Sequence, residues 1–170
     1  MIVLLFIPQT GMPIKVFFNK LISFSPSVVE EDERETLVTY DWPLLNDQRQ
    51  QVNFINSEGK IVLINFWATW CPPCVAELPS LQNLYNQYGE SIDFYFVTNE
   101  DPTTVTSFMN KREYDLPVFY GKETPPNLLD NTALPTTYLL DETGEIIIKK
   151  TGAATWDSET VKQTLDSLLK

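Results

Sequence analysis

Residues Ile61-Val62-Leu63-Ile64-Asn65-Phe66-Trp67 are apolar at nearly every position, and four residues later the chain reads Cys71-Pro72-Pro73-Cys74. An unbroken apolar run of this length predicts a central strand covered on both faces, because a strand with one wet face would alternate. Beyond the cysteines, Val75, Leu78, Leu81, Leu84, Tyr85 and Tyr88 recur at helical spacing, and Gly89 marks the end of the helix. A buried strand that runs straight into a helix opening on a cysteine pair requires an α/β fold.

The same arrangement suits the pair to redox chemistry. A helix N-terminus has unpaired N–H groups and the positive end of the helix dipole, so a thiolate there is stabilised and its pKa falls. Cys74, one turn inward, is placed to attack a mixed disulfide formed on Cys71. The other uses of a cysteine pair fit poorly. A disulfide closing so short a loop removes little chain entropy. The 170 residues hold only two cysteines and no histidine, so a structural zinc site lacks ligands. Haem attachment needs a histidine after the second cysteine, where Val75 stands. The missing histidine also removes the usual general base of hydrolases. A net charge of −11 argues against nucleic acid as a partner, since phosphate binding needs a basic surface.

Strands and helices alternate along the rest of the chain. Tyr40 to Leu45 and Gln51 to Ile55 read as two short strands joined by the polar turn Asn46-Asp47-Gln48-Arg49. Ile92 to Thr98 alternates as a strand, Val105 to Lys111 is a short helix, and Leu116 to Tyr120 another strand. Thr137 to Leu140 and Glu145 to Lys150 form a hairpin about Asp141-Glu142-Thr143-Gly144. A final helix places Val161, Leu165, Leu168 and Leu169 on one face, with Asp157 or Ser158 as its N-cap. Glu100, Asp101 and Pro102 follow the 92–98 strand at its C-terminal end, where open sheets place their sites, and also read as a helix-starting loop. Trp156 reads as a packing residue.

Residues 1–29 differ in character. The apolar run Ile2 to Ile7 is broken by Pro8, Gly11 and Pro13, then followed by Ile14 to Phe24 with Lys15 and Lys20. It falls short of the ~20 continuous apolar residues of a membrane span. It reads either as a piece of a membrane anchor with an interfacial segment, or as an apolar extension of the domain. Residues 30–36, acidic from Glu30 to Glu35, read as a solvated linker, and 37–170 as one domain.

The segment Asn65-Phe66-Trp67-Ala68-Thr69-Trp70-Cys71-Pro72-Pro73-Cys74-Val75-Ala76-Glu77-Leu78-Pro79 resembles the active-site segment of thioredoxin-like proteins, in their TlpA/ResA-type branch. Downstream, Leu134-Pro135-Thr136-Thr137-Tyr138-Leu139-Leu140-Asp141 resembles that branch's cis-proline segment. The resemblance covers roughly Tyr40 to Lys170. It implies a three-layer α/β/α sandwich around a central mixed sheet, here with an added N-terminal hairpin. It implies that Cys71 is the exposed nucleophile and Cys74 the buried resolving cysteine. A client would lie against Trp70, Pro72 and Pro73 and against the cis-proline segment Leu134, Pro135 and Thr136. Pro79 matches a helix-kinking proline without chemistry. Thioredoxin has a buried aspartate where this chain has Asn65, and an asparagine cannot relay a proton. Glu77 matches a glutamate of the TlpA/ResA branch, and its two readings are a partly buried proton acceptor for Cys74 and an exposed first-turn glutamate favourable to the helix dipole.

The function so implied is thiol–disulfide exchange with protein substrates, without cofactor or metal, fed by an upstream electron-donating thiol protein. The family's setting is the cell envelope, on the periplasmic side, with residues 1–29 as the membrane contact. Pro72 and Pro73 each remove an N–H that could have faced the thiolate, which predicts a site toward the reducing end of the family. The competing readings are a thiol peroxidase, which does not normally place its cysteine in Trp-Cys-x-x-Cys, and a non-catalytic binding module, which would be expected to have lost a cysteine.

Overall fold

A computed structural model describes residues 25–170. The apolar run forms β3 (Val62–Phe66), every residue of it buried. To its N-terminal side lie β1 (Pro43–Leu45), which starts later than the Tyr40 of the sequence reading, and β2 (Gln51–Asn53), shorter than that reading because a 3-10 turn takes Phe54–Ser57. After it come α1 (Pro72–Tyr88), β4 (Asp93–Thr98), α2 (Pro102–Lys111), β5 (Val118–Gly121), β6 (Thr136–Leu140), β7 (Ile146–Thr151) and α3 (Glu159–Leu168).

The strands form one mixed sheet in the order β2-β1-β5-β4-β3-β6-β7. β3, β4 and β5 are parallel, and the hairpins β1–β2 and β6–β7 flank them in antiparallel fashion. Alternate residues of β3 and β4 face opposite sides: Leu63, Phe94 and Phe96 join one apolar cluster, and Val62, Ile64, Phe66, Tyr95 and Val97 the other. All three helices contribute to the first cluster, among others through Leu78, Leu81, Val105, Met109, Val161 and Leu165.

The fold is α/β and thioredoxin-like, with the central mixed sheet and the added N-terminal hairpin expected from the resemblance. Opposite the helices, the sheet is covered by the 37–57 segment (Trp42, Leu44, Phe54) and by Leu129 of the loop before β6. Crossover handedness accounts for this. Two successive right-handed connections, β3–α1–β4 and β4–α2–β5, step the same way across the sheet and so lay both helices on one face.

Local chemistry sets several boundaries. α2 starts at Pro102, three residues before its first core side chain, because Asp101 caps it by accepting from the Thr103 and Thr104 amides. At the β6–β7 turn, Asp141 Oδ1 accepts from Thr143 and Glu145, and Gly144 takes φ +84°. A Cβ at Gly144 would come within 2.8 Å of the Tyr40 hydroxyl oxygen, so both conformation and space call for glycine.

The acidic run is bonded to the sheet edge. The Val29 N–H donates to Ile147 O, Ile146 N–H to Glu35 O, and Leu37 N–H to Gly144 O. Arg34 pairs with Glu145 at 3.2 Å and donates to Val29 O. This strap occupies the open edge of β7, which would otherwise present unpaired backbone groups. The apolar stretch 1–24 lies outside the described residues, and among those described no helix is long and apolar enough to cross a membrane.

Candidate active site

The site lies at the C-terminal end of β3, where Trp67 to Trp70 lead into α1. Cys71 is the N-cap of α1, with Pro72 and Pro73 in its first two positions. Proline suits these positions, since their N–H groups would have no helical partner and their φ is already helical. The first amide left in the helix is that of Cys74, which donates to Cys71 Sγ at 3.3 Å. Cys71 and Cys74 form a disulfide with their Cα atoms 5.3 Å apart. Cys74 is fully buried, and Cys71, expected to be exposed, is only 4% exposed in this oxidised form.

The loop before Cys71 is held by a residue the sequence only brought to the border of the site. Both carboxylate oxygens of Glu100 accept from Thr69, one from its N–H at 2.6 Å and one from its hydroxyl at 2.7 Å. Trp70, next along, is 64% exposed. Across from it the Leu134–Pro135 peptide is cis. An open cavity of about 220 Å³ lies between Trp70 and Leu134, with Trp67, Asn99, Glu100 and Asn131 on its walls. Trp70, Pro72, Pro73 and Leu134 therefore keep accessible surface, whereas Pro135 and Thr136 are buried. The Thr136 hydroxyl is taken up by Ala133 O and Thr151 Oγ1, so its side chain braces the proline segment.

Beneath the disulfide, on the same helix, Glu77 is 1% exposed, which excludes the exposed reading and goes further than partial burial. Its Oε1 accepts from Asn65 Nδ2 at 2.8 Å, and its Oε2 from the Ala154 N–H at 3.1 Å and Trp156 Nε1 at 3.0 Å. Burial pushes its carboxyl up from the ordinary 4.5 to about 7, while those three donors and the charge of Lys150 pull the other way. Desolvation wins because a carboxylate without solvent loses more than three neutral donors return.

The sign of this shift sets a pH dependence. Between pH 4.5 and about 7 the native protein holds a proton that the unfolded chain releases, so stability falls as pH rises through that window. The total is roughly 3 kcal/mol at ~1.4 kcal/mol per pH unit. Glu77→Gln should flatten the denaturation midpoint across this window relative to wild type; parallel profiles for the two proteins would show that Glu77 does not titrate there.

Sequence reasoning missed the donors to Glu77. Trp156 and Ala154 lie 79 and 77 positions away from it, beyond the reach of any local pattern. Asn65 was singled out, but its second partner, Thr137 on β6, follows only from the register that sets the two residues opposite each other.

Fold and site together define a thioredoxin-like protein with a disulfide at the N-terminus of its first helix. The chain belongs to the Redoxin family, whose model matches residues 23–168, and the pattern of its site places it in the ResA-type branch. It is 39% identical over 103 residues to the thiol-disulfide oxidoreductase ResA of Halalkalibacterium halodurans, a match covering 58% of this chain and 57% of that protein. The match thus spans little more than half of that relative. The ResA of Geobacillus thermodenitrificans is 30% identical over 75% of this chain and 74% of its own. Among solved structures, a DsbF homologue from Corynebacterium diphtheriae superposes with a TM-score of 0.66 at 18% identity, covering 85% of this chain and 93% of the other, a likeness of fold.

Proposed function

We propose that this chain is a thiol–disulfide oxidoreductase that works as a reductase of protein disulfides in the cell envelope. The observation that carries the reading is the Cys71–Cys74 disulfide at the start of α1, beside the exposed Trp70 and the cis Leu134–Pro135 peptide. The relatives named as thiol-disulfide oxidoreductases support it.

In the reduced protein the Cys71 thiolate attacks one sulfur of a client disulfide, and the other client sulfur leaves as a thiolate. The Cys74 thiol then gives its proton to Glu77, its neighbour one helical turn on, about 5–6 Å away between Cβ atoms. The Cys74 thiolate attacks Cys71 Sγ, which forms the internal disulfide and releases the second client thiolate. Two electrons pass to the client, and an upstream thiol protein restores the Cys71–Cys74 dithiol. Trp70 and Leu134 flank the extended client segment, and the backbone of Leu134 offers it hydrogen bonds.

The first turn of α1 supports the reducing direction. With prolines in both leading positions, the Cys74 amide alone among the described residues donates to Cys71 Sγ, so the thiolate draws little stabilisation from backbone donors. A less stabilised thiolate makes the disulfide harder to reduce and the dithiol a better reductant. Equilibration with glutathione should give a potential nearer the about −270 mV of thioredoxin than the about −120 mV of strong oxidants. A value at the oxidising end would overturn the direction, and failure to reduce insulin disulfides with a regenerating reductant would overturn the activity. The acidic strap leads from residue 25 into the domain, and attachment of the 1–24 stretch to the membrane would hold the site at the envelope surface.

A further inference from the structure

Asn65 is wholly buried, and its amide is used unevenly. Nδ2 donates to Glu77 Oε1 at 2.8 Å and to Thr137 Oγ1 at 2.7 Å, while Oδ1 is buried without a partner among the described residues. Burying an acceptor without a partner is destabilising, so an amide at this position calls for a reason beyond its two donated bonds.

The two oxygens of Glu77 are not equivalent. Oε2 faces two donors that cannot become acceptors, a backbone N–H and an indole N–H. A proton on Oε2 would collide with both. Any proton that Glu77 takes up must therefore sit on Oε1, whose one partner is the Asn65 amide. In the orientation seen here, that partner is a donor and suits only the carboxylate. Rotated by 180°, the amide presents Oδ1 in place of Nδ2, and Oδ1 can accept from a protonated Oε1. Thr137 permits this rotation because a hydroxyl can accept from Nδ2 or donate to Oδ1. Rotation exchanges the two bonds donated by Nδ2 for two accepted by Oδ1 and moves Nδ2 to the site that Oδ1 now holds, which has no partner among the described residues.

We propose that Asn65 and Thr137 form a two-way hydrogen-bond switch, in which the Asn65 amide turns over as Glu77 gains or loses its proton. Asn65 is then a positioning residue for exchange. It carries no proton itself, as its chemistry dictates, but it keeps both states of Glu77 bonded, so the proton from Cys74 can be accepted and later given up without stranding a buried group. This rests on the reading of Glu77 as the proton acceptor of Cys74. The groups that act on Glu77 are Asn65 from β3, Ala154 and Trp156 from the segment after β7, and the charge of Lys150 on β7; Cys74 shares its helix. Lys150 lowers the energy of the anion from a distance and does not contact Oε1, so it biases the switch without joining it.

NMR on the intact oxidised chain tests the switch without a variant. The Glu77 side-chain carboxyl carbon and the Asn65 Nδ2 and Hδ2 resonances are followed from pH 5 to pH 9. The switch requires the Asn65 resonances to move with the same midpoint as Glu77, with loss of hydrogen-bonded character on the acid side. Asn65 resonances that stay fixed while Glu77 titrates would overturn it, as would a Glu77 that does not titrate. Asn65→Asp provides a second reading, since a carboxylate can accept from Oε1–H but cannot donate to the anion. Its Glu77 midpoint, and the acid limb of its disulfide-exchange rate, should rise by about one pH unit or more, tenfold or more in the protonation equilibrium. An unshifted midpoint in a folded Asn65→Asp protein would also overturn the proposal. The reading it rests on is checked separately by Glu77→Gln: unchanged titration of the Cys74 thiol there, with Asn65 still tracking Glu77 in wild type, would remove Glu77 from the exchange and leave the switch standing.

Discussion

Cys74→Ser should stop the reaction at its midpoint. The variant retains Cys71 at the start of α1, so attack on a client disulfide proceeds and a mixed disulfide forms. No second thiol then reaches Cys71 Sγ, because serine cannot resolve a disulfide. Turnover of insulin disulfides should fall by at least about a thousandfold, since release now depends on external thiols. The trapped adduct should appear on a non-reducing gel and vanish with dithiothreitol. Cys71→Ser should lose turnover to the same degree and form no adduct, because Cys74 is fully buried beneath the site. The contrast between the two variants is the informative result. Adduct formation by Cys71→Ser would assign the attack to the wrong sulfur, and near-wild-type turnover by Cys74→Ser would mean that exchange proceeds through one cysteine.

The second large effect concerns stability. Trp156 is fully buried in the cluster under the helices and donates its indole N–H to Glu77, while its backbone N–H donates to Ser80 Oγ. Trp156→Ala removes one of the largest side chains of the core and leaves Glu77 one donor short. Loss of a buried aromatic alone costs about 3–5 kcal/mol, and the weakened bonding of a buried carboxylate adds to it at neutral pH. Trp156→Phe retains most of the volume and drops only the donor, so it should cost a fraction of that and should push the Glu77 carboxyl further up. Urea unfolding at pH 5 and pH 8 separates the two contributions: the Phe variant should lose more at pH 8, where wild-type Glu77 is ionised. A cost below about 1 kcal/mol for the Ala variant would mean that the region collapses around the gap and that Trp156 does not brace the site.

What could be read from the chain follows the range of the interactions involved. The central strand and α1 were legible because their burial pattern repeats over neighbouring residues, from Ile61 to Tyr88. The apolar pattern places the start of α2 at Val105 rather than Pro102, since the first turn carries no core residue and is set by the Asp101 cap. The second N-terminal strand was read two residues too long because Phe54 is buried like a strand residue but sits in a 3-10 turn. The last helix was bracketed correctly at Ser158, yet that hydroxyl bonds Ser25 rather than the helix. Glu77 could be singled out only through its resemblance, because the groups that bury it come from β3 and from the loop after β7. Glu100 was noted for its place at the end of β4, but its grip on Thr69 depends on β3 and β4 being parallel neighbours in register. Pairings of this kind have no periodic trace in the sequence.

The strap along β7 has a mechanical consequence. Tension applied at residue 25 would load the Ser25–Ser158 contact first, then the Val29–Ile147 and Glu35–Ile146 bonds, before any force reached β6. Those bonds lie along an outer edge, so they can break singly and in sequence. β3, with the disulfide at its end, lies two strands further in. A tug on the leading end of the chain would therefore peel a ribbon from the rim and leave the reactive sulfurs where they are, the behaviour of a fuse between a mooring line and the hull it holds.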